Sequence, residues 1–224
     1  MIDPNKKENA PVQSSDVCRR AFELMHEKRY DEAEKLLVGN MAKTDDESAI
    51  ALYHSVLGVL FKLQGEYKTA WKHYERAEKL LPLDPALKII SARLLLEQFA
   101  QYDQAIKKAK KVFDLIPNNP VFAHQAHTTL GLAYLKKGEK KKAIASLQTS
   151  VGEGFYGFVS AKNIDFSLVE ALLRKNMAQK ECVSFFEKAL RFATKNAETK
   201  YVELFQKMMN VFERDYGQTT DSTD

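Results

Sequence analysis

The stretch that decides the fold is HSVLGVLFKLQGEYKTAWKHYERAEKLLP, residues 54–82. It predicts two helices, 54–63 and 67–81, that are joined at Gly65. Small residues lie where the two helices would touch, and large residues fill the space around them. The small residues are Gly58, Ala70 and Ala77, and the large ones are Leu57, Phe61 and Tyr74. Pro82 ends the second helix because its nitrogen carries no hydrogen to donate.

The same pattern returns later in the chain. Residues 54–70 and 127–143 share H-[ST]-x-L-G-x2-[FY]-x3-G-E-x3-A, at an interval of 73 residues. That interval is about two units of roughly 34 residues with a few extra, and the pattern resembles the tetratricopeptide repeat. The resemblance implies an all-α fold: a right-handed superhelical solenoid of four to five helical hairpins with a C-terminal capping helix.

The repeats can be placed along the chain by their small and large positions. They are predicted near 14–47, 51–84, 86–119, 124–157 and 163–196, and the fifth is divergent. A capping helix over 197–216 follows, because its apolar residues recur every three or four positions. We expect residues 1–13 to be disordered and 217–224 to form a flexible tail. Ser14, Ser15 and Asp16 are predicted to cap a first helix over 17–28.

Composition narrows the function classes. The chain has 224 residues, a formal net charge of +4 and two cysteines. It contains no apolar run long enough for a membrane span and no apolar core for a secretory signal. Cys18 and Cys182 are far apart and make no metal-ligand spacing, which favours a reducing cytoplasm. The charge is too small to imply a nucleic-acid partner, so nucleic acid is disfavoured.

The resemblance implies that the first helix of each repeat lines a concave groove. The positions that face the groove in the family are here Phe22, Met25, Ser55, Val59, Lys62, Ile90, Leu94, Thr128, Leu132 and Leu135. Chaperone-binding relatives hold a C-terminal carboxylate with Lys, Asn and Arg, but Ser55, Val59 and Ser91 occupy matching sites here. The apolar floor instead predicts that the groove binds an amphipathic helix or an apolar extended segment.

A second interpretation of this apolar strip is that it is internal. The final helix or residues 152–160 would then fold back over it. The two interpretations differ in what Leu94→Asp or Leu132→Asp would do. If the groove is open, either change abolishes partner capture and leaves the fold intact.

Residues 152–158, GEGFYGF, contain the spacing G-x-G-x2-G. A dinucleotide site needs this loop between a strand and a helix, whereas here it follows a predicted helix. We expect the glycines to end that helix and bend the chain. Phe155, Tyr156 and Phe158 then either fill the gap between repeats four and five or form a binding hot spot.

Charged and metal-binding residue types leave further alternatives open. Two lysine clusters are either solvated surface or a site for an acidic partner or RNA. They consist of Lys107, Lys108, Lys110 and Lys111, and of Lys136, Lys137, Lys140, Lys141 and Lys142. His124 and His127 share a helix face but have no carboxylate or cysteine close by in sequence, which is a weak zinc signal.

The function that these patterns predict is a non-catalytic adaptor or scaffold, cytoplasmic and without a cofactor or a metal. It would bind an apolar or amphipathic segment of a partner protein in a signalling, motility or assembly complex. One alternative is a dedicated chaperone that shields an apolar client segment. Another is binding of an acidic partner or RNA through the lysines. Monomer and homodimer both remain open.

Overall fold

A computed structural model describes residues 13–216, and this range contains eleven α-helices and no strand. The helices are α1 Ser14–His26, α2 Tyr30–Met41, α3 Glu47–Leu63, α4 Tyr67–Leu80, α5 Pro85–Gln98, α6 Tyr102–Leu115, α7 Pro120–Lys136, α8 Lys140–Val151, α9 Ser167–Leu173, α10 Gln179–Lys195 and α11 Thr199–Tyr216. A 3-10 turn, Ala161–Asn163, precedes α9. Residues 1–12 and the predicted tail 217–224 lie outside the described residues.

Consecutive helices pair as hairpins, which confirms the predicted all-α repeat architecture. The turns at Gly65 and Gly138 have φ angles of 80° and 79°, a conformation that glycine adopts without steric cost. Each glycine follows the first helix of its hairpin, as the shared motif predicts. The helix over Tyr67–Leu80 ends within one residue of its predicted end.

The starts of the helices differ from the prediction. Asp46 caps α3 by accepting hydrogen bonds from the N–H groups of Ser48 and Ala49, at 3.1 and 3.3 Å. Asn119 caps α7 in the same way. Both helices therefore begin before the motif that predicted them. The predicted cap of α1 was wrong, because Ser14, Ser15 and Asp16 lie inside the helix and its N-cap, Gln13, makes no side-chain capping bond.

The chain divides into two compact units after Leu87. The core of the first unit is formed by α1, α2 and α3, with Ala21, Ala33, Leu37, Leu57 and Leu60 at its centre. The largest core of the second unit is formed by α7 to α11 and the segment between α8 and α9. Its centre includes Leu147, Phe155, Leu168, Phe185 and Phe205. Each unit therefore buries its own apolar side chains.

Small residues set how closely the helices approach. A Cβ atom on Gly58 would lie 2.2 Å from the Tyr74 ring, and one on Gly131 would lie 2.3 Å from a methyl group of Leu168. Tyr74 and Leu168 are fully buried, so neither has room to move away. The predicted close approach of the paired helices is thereby confirmed at Gly58 and Tyr74.

Substituting Gly58 by alanine is expected to lower the free energy of unfolding by as much as about 2 kcal/mol. Alanine gains about 1 kcal/mol of helix propensity, but overpacking against Tyr74 costs about 1–3 kcal/mol. Gly39 in α2 is the matched control because a methyl group added there would meet no atom within 4 Å. Gly39→Ala is expected to raise stability slightly. Urea unfolding followed by the fluorescence of Trp71, the single tryptophan, measures both. Equal stabilisation by both changes would contradict this packing.

Candidate functional site

An open apolar depression lies between α1 and α3 in the first unit. It has a volume of about 670 Å³ and is lined by Ser15, Cys18, Arg19, Phe22, Glu23, His26 and Leu52. Phe22 is 47% exposed and Leu52 is 36% exposed, although both side chains are large and apolar. We call this surface the α1–α3 groove. Most of its lining comes from the first-helix face that the family resemblance predicts.

The rim of the groove carries charges of both signs. Arg19 pairs with Asp16 at 3.0 Å and with Glu23 at 3.5 Å, and all three side chains are well exposed. Such exposed pairs contribute little to stability, so they remain free to exchange partners. An apolar floor with a mixed rim suits a segment that has one apolar face and one polar face.

The predicted groove residues of α3 continue the same face. Ser55 and Val59 are half-buried, and the Ser55 hydroxyl donates to the carbonyl of Leu52 at 2.8 Å. Lys62, at the last turn of α3, is also half-buried. Met25 differs, because its side chain belongs to the core of the first unit. On this face Phe22, Ser55 and Val59 therefore keep exposed surface, whereas Met25 does not.

The predicted groove does not stay open in the second unit. Leu94 and Thr128 are fully buried, and Leu135 is part of the largest core of this unit. Leu132 is half-buried and packs against that core, while Ile90 is half-buried. The groove prediction placed Leu94, Thr128 and Leu135 against a partner, whereas in this structure their side chains are buried. The second interpretation likewise held the strip to be internal, but it did not name α9 among the elements that cover it.

The first-helix face is closed in the second unit because α9 lies against α5 and α7. The guanidinium of Arg93 on α5 donates to the Ser167 hydroxyl at 3.1 Å and pairs with Asp165 at 3.3 Å. It also pairs with Glu97, one turn further along α5, at 3.1 Å. On α7, Gly131 receives the side chain of Leu168. The sequence analysis assigned no role to Arg93.

His124 holds the segment before α9 in place. Its Nδ1–H donates to the carbonyl of Ser150 at 2.9 Å, and its Nε2 accepts the N–H of Asp165 at 2.8 Å. Burial lowers the pKa of His124, and the neutral ring satisfies both bonds. His124 therefore joins α7 to two other segments. Among residues 13–216 no group of three metal-ligating side chains surrounds it or any other site.

The GEGFYGF loop separates its aromatic residues. Phe155 is buried, with its ring 5.4 Å from that of Phe185, and Phe158 is half-buried beside it. Tyr156 is 83% exposed. The loop ends α8 as predicted, with Gly152, Gly154 and Gly157 at positive φ. Of the two interpretations, filling the gap suits Phe155 and Phe158, and only Tyr156 faces outward.

A histidine pair in the first unit escaped the sequence analysis. Nδ1 of His54 on α3 lies 3.0 Å from Nδ1 of His73 on α4, and the His73 ring stacks on Phe61. One of the two nitrogens must carry the hydrogen and the other must accept it. Burial lowers the pKa of both residues. His54 belongs to the motif shared by residues 54–70 and 127–143, but nothing in that motif links it to His73.

The lysine clusters are partly neutralised by nearby carboxylates. Lys111 pairs with Asp114 at 3.2 Å, and Lys137 pairs with Asp103 and Glu139. Lys107 and Lys110 are exposed, and Lys108 is half-buried. These features are those of a solvated surface. They favour that interpretation over a site for RNA.

The reactivity of the two thiols and the apolar character of the helices can also be read from the structure. The thiols of Cys18 and Cys182 are buried, and burial raises their pKa to about 11 and about 12. Such thiols are poor nucleophiles at neutral pH. Across residues 13–216, no helix combines the length and apolar character that crossing a bilayer requires.

No family model and no curated protein matches the chain. Solved structures do match its fold. PilW, described as a widely conserved type IV pilus biogenesis factor, aligns with a TM-score of 0.63 at 14% identity, over 94% of this chain and 97% of that one. TTC0263, described as a thermophilic TPR protein in Thermus thermophilus, aligns with a TM-score of 0.60 at 18% identity, over 85% and 98%.

A third solved structure, PilF of Pseudomonas aeruginosa, aligns with a TM-score of 0.60 at 14% identity, over 91% of this chain and 92% of that one. Identities this low speak for the fold alone. The three structural alignments agree with the helical hairpins described above. The chain therefore has the fold of tetratricopeptide-repeat proteins.

Proposed function

We propose that the protein is a non-catalytic interaction scaffold that binds an apolar or amphipathic segment of a partner protein in the α1–α3 groove. The observation that carries this proposal is the exposure of Phe22 and Leu52 side by side on an apolar depression. Large apolar side chains that remain exposed next to each other often mark an interaction surface. Here they remain available as two anchor points.

The binding free energy expected from the exposed anchors corresponds to reversible binding of a partner. Burying an anchor of the size of leucine is worth about 1.5–3 kcal/mol. Contacts on Phe22 and Leu52, with Val59 further along α3, give about 4.5–9 kcal/mol before the cost of ordering the partner, so the dissociation constant is expected to be weak, in roughly the high micromolar range or above. The mixed charges of Arg19 and Glu23 would set the register of the segment rather than its affinity. This suits assembly of a complex, the setting that we propose for the chain.

The test is a double substitution of the two exposed anchors, Phe22→Asp with Leu52→Asp. Partner recovery in affinity purification from the native cell is expected to fall at least about tenfold, because both anchors lose their apolar contact. Stability is expected to change little, since both side chains already meet water. The matched control is Leu63→Asp with Leu83→Asp, which changes two other exposed leucines of the first unit.

The proposal fails if the control variant loses the same partner, or if the groove variant keeps it. The nature of the recovered partner separates the scaffold from its alternative. Folded partners in stable complexes support a scaffold. A single client that aggregates when the protein is removed would support a dedicated chaperone.

A further inference from the structure

A second surface in the described chain combines an exposed aromatic ring with a row of cations. It lies in the second unit, between the GEGFYGF loop and α10, and encloses about 310 Å³. We call it the Tyr156 cleft. Its lining consists of Tyr156, Phe158 and Glu153 from the loop and of Lys188, Arg191, Phe192 and Lys195 from α10, among others. It shares no residue with the α1–α3 groove.

The loop holds Tyr156 outward by burying the residue before it. Phe155 adopts a φ of 58°, which is uncommon for a residue with a side chain, and its ring is buried against Phe185 and His124. This fixed neighbour leaves Tyr156 83% exposed and Val159, three residues further, 89% exposed. Large exposed aromatics are enriched at binding hot spots because they add contact area at little entropic cost.

The cations of α10 lie on one face, since 188, 191 and 195 are spaced by three and four residues. Lys188 donates to the carbonyl of Gly152 at 2.8 Å, and the Lys195 ammonium lies 6.0 Å from the centre of the Tyr156 ring. Within residues 13–216, no carboxylate forms an ion pair with Arg191 or Lys195. Their positive charge is therefore open to a partner.

In the described chain, acidic residues close to this row, including Glu187 one turn before Arg191 on α10, form no ion pair with it. Glu198, which follows α10, accepts from the Ser160 hydroxyl at 2.7 Å and from the N–H of Ala161 at 2.8 Å. It is thus committed to holding the loop. Glu153 lines the far side of the cleft and leaves three cations against one carboxylate.

We propose that the Tyr156 cleft binds a short acidic peptide segment of a partner protein. Carboxylates of the segment pair with Arg191 and Lys195, which line the cleft on the side of α10. An apolar or aromatic side chain between those carboxylates packs on Tyr156. A nucleic-acid strand fits less well, because it needs a longer basic track and several stacking rings.

The test uses the whole chain and a dye-labelled synthetic peptide with one central tryptophan flanked by two glutamates on each side. A matched peptide carries glutamine at those four places. We expect the glutamate peptide to bind at least about tenfold more tightly in fluorescence anisotropy at low salt, and its affinity to fall as salt screens the charges.

Three variants locate the site. Arg191→Glu with Lys195→Glu is expected to weaken binding about tenfold or more, and Tyr156→Ala about fivefold, because each removes one half of the proposed contact. Lys107→Glu with Lys110→Glu, which changes the net charge equally on exposed residues of α6, is expected to leave binding within about twofold. The α1–α3 groove variant is expected to bind the peptide normally, so this proposal and the proposed function can fail separately.

Several outcomes would overturn the proposal. Equal affinity for the two peptides would show that charge is not recognised. An equal loss in the Lys107 and Lys110 variant would show a diffuse electrostatic effect. Tighter binding of a single-stranded oligouridylate than of the glutamate peptide would make the surface a nucleic-acid site instead.

Discussion

Replacing Leu94 by aspartate is expected to unfold the second unit or to destabilise it by at least about 4 kcal/mol. Leu94 has no exposed surface, so the new carboxylate would have to be buried without a partner or force its surroundings open. A domain with a total stability of about 5–15 kcal/mol does not tolerate that cost easily. Urea unfolding followed by circular dichroism measures the change.

Two matched variants show whether burial is the cause. Leu94→Ala removes side-chain volume without adding charge and is expected to cost about 2–5 kcal/mol. Phe22→Asp adds the same charge on the exposed face of α1 and is expected to cost less than about 1 kcal/mol. An unfolding curve of Leu94→Asp that superimposes on that of the wild type would show that the strip in the second unit is open after all.

Acid is expected to destabilise the first unit through the histidine pair. His54 and His73 share one hydrogen between their Nδ1 atoms, so protonating the accepting nitrogen breaks the bond and places a positive ring, buried, against the N–H of its neighbour. The pKa of His73 is lowered to about 4, chiefly by burial and then by His54 and Arg76. Burial and Arg76 also lower the pKa of His54.

The direction of the pH effect follows from these lowered values. In the unfolded chain both histidines titrate near pH 6.5, and in the folded chain they titrate lower. The unfolded state therefore binds more protons between about pH 6.5 and pH 4, and stability falls as the pH falls through that window. The contribution of the histidine pair to stability is fully present above about pH 6.5. The loss from His73 alone should approach about 3 kcal/mol by pH 4.

Trp71 lies on α4 two residues before His73, so its fluorescence reports unfolding of this unit. The urea midpoint is expected to drop from pH 7.5 to pH 4.5 in the wild type, and the drop should be at least halved in His73→Leu. His26→Gln, which changes an exposed histidine on α1, should keep the full drop. An undiminished drop in His73→Leu would assign the effect to other groups.

The helical hairpins could be predicted from the sequence because they depend on residues close together along the chain. Gly58, Ala70 and Tyr74 lie within 17 consecutive residues, and their spacing alone dictates a close contact between two helices. The starts of α3 and α7 were missed because the motif begins after their first turns. Asp46 and Asn119, the caps that start them, lie outside it.

The open or covered state of the groove could not be predicted in the same way. Phe22 and Leu94 occupy the same position of the motif, which places them on equivalent helix faces. Whether such a face is buried depends on contacts with segments far away in the sequence. Arg93 meets Ser167, which is 74 residues away, and His124 meets Asp165, which is 41 residues away. No local sequence pattern predicts such long-range contacts. The exposure of Tyr156 likewise depends on the burial of Phe155.

Thiol labelling tests the central claim most directly: the first-helix face is open in the first unit and filled in the second. Phe22→Cys and Leu94→Cys would each be reacted with a thiol reagent under native conditions, with the wild type giving the background from buried Cys18 and Cys182. We expect Cys at position 94 to react at least about a hundredfold more slowly than at position 22, because it must await local opening. Comparable rates at the two positions would contradict the account.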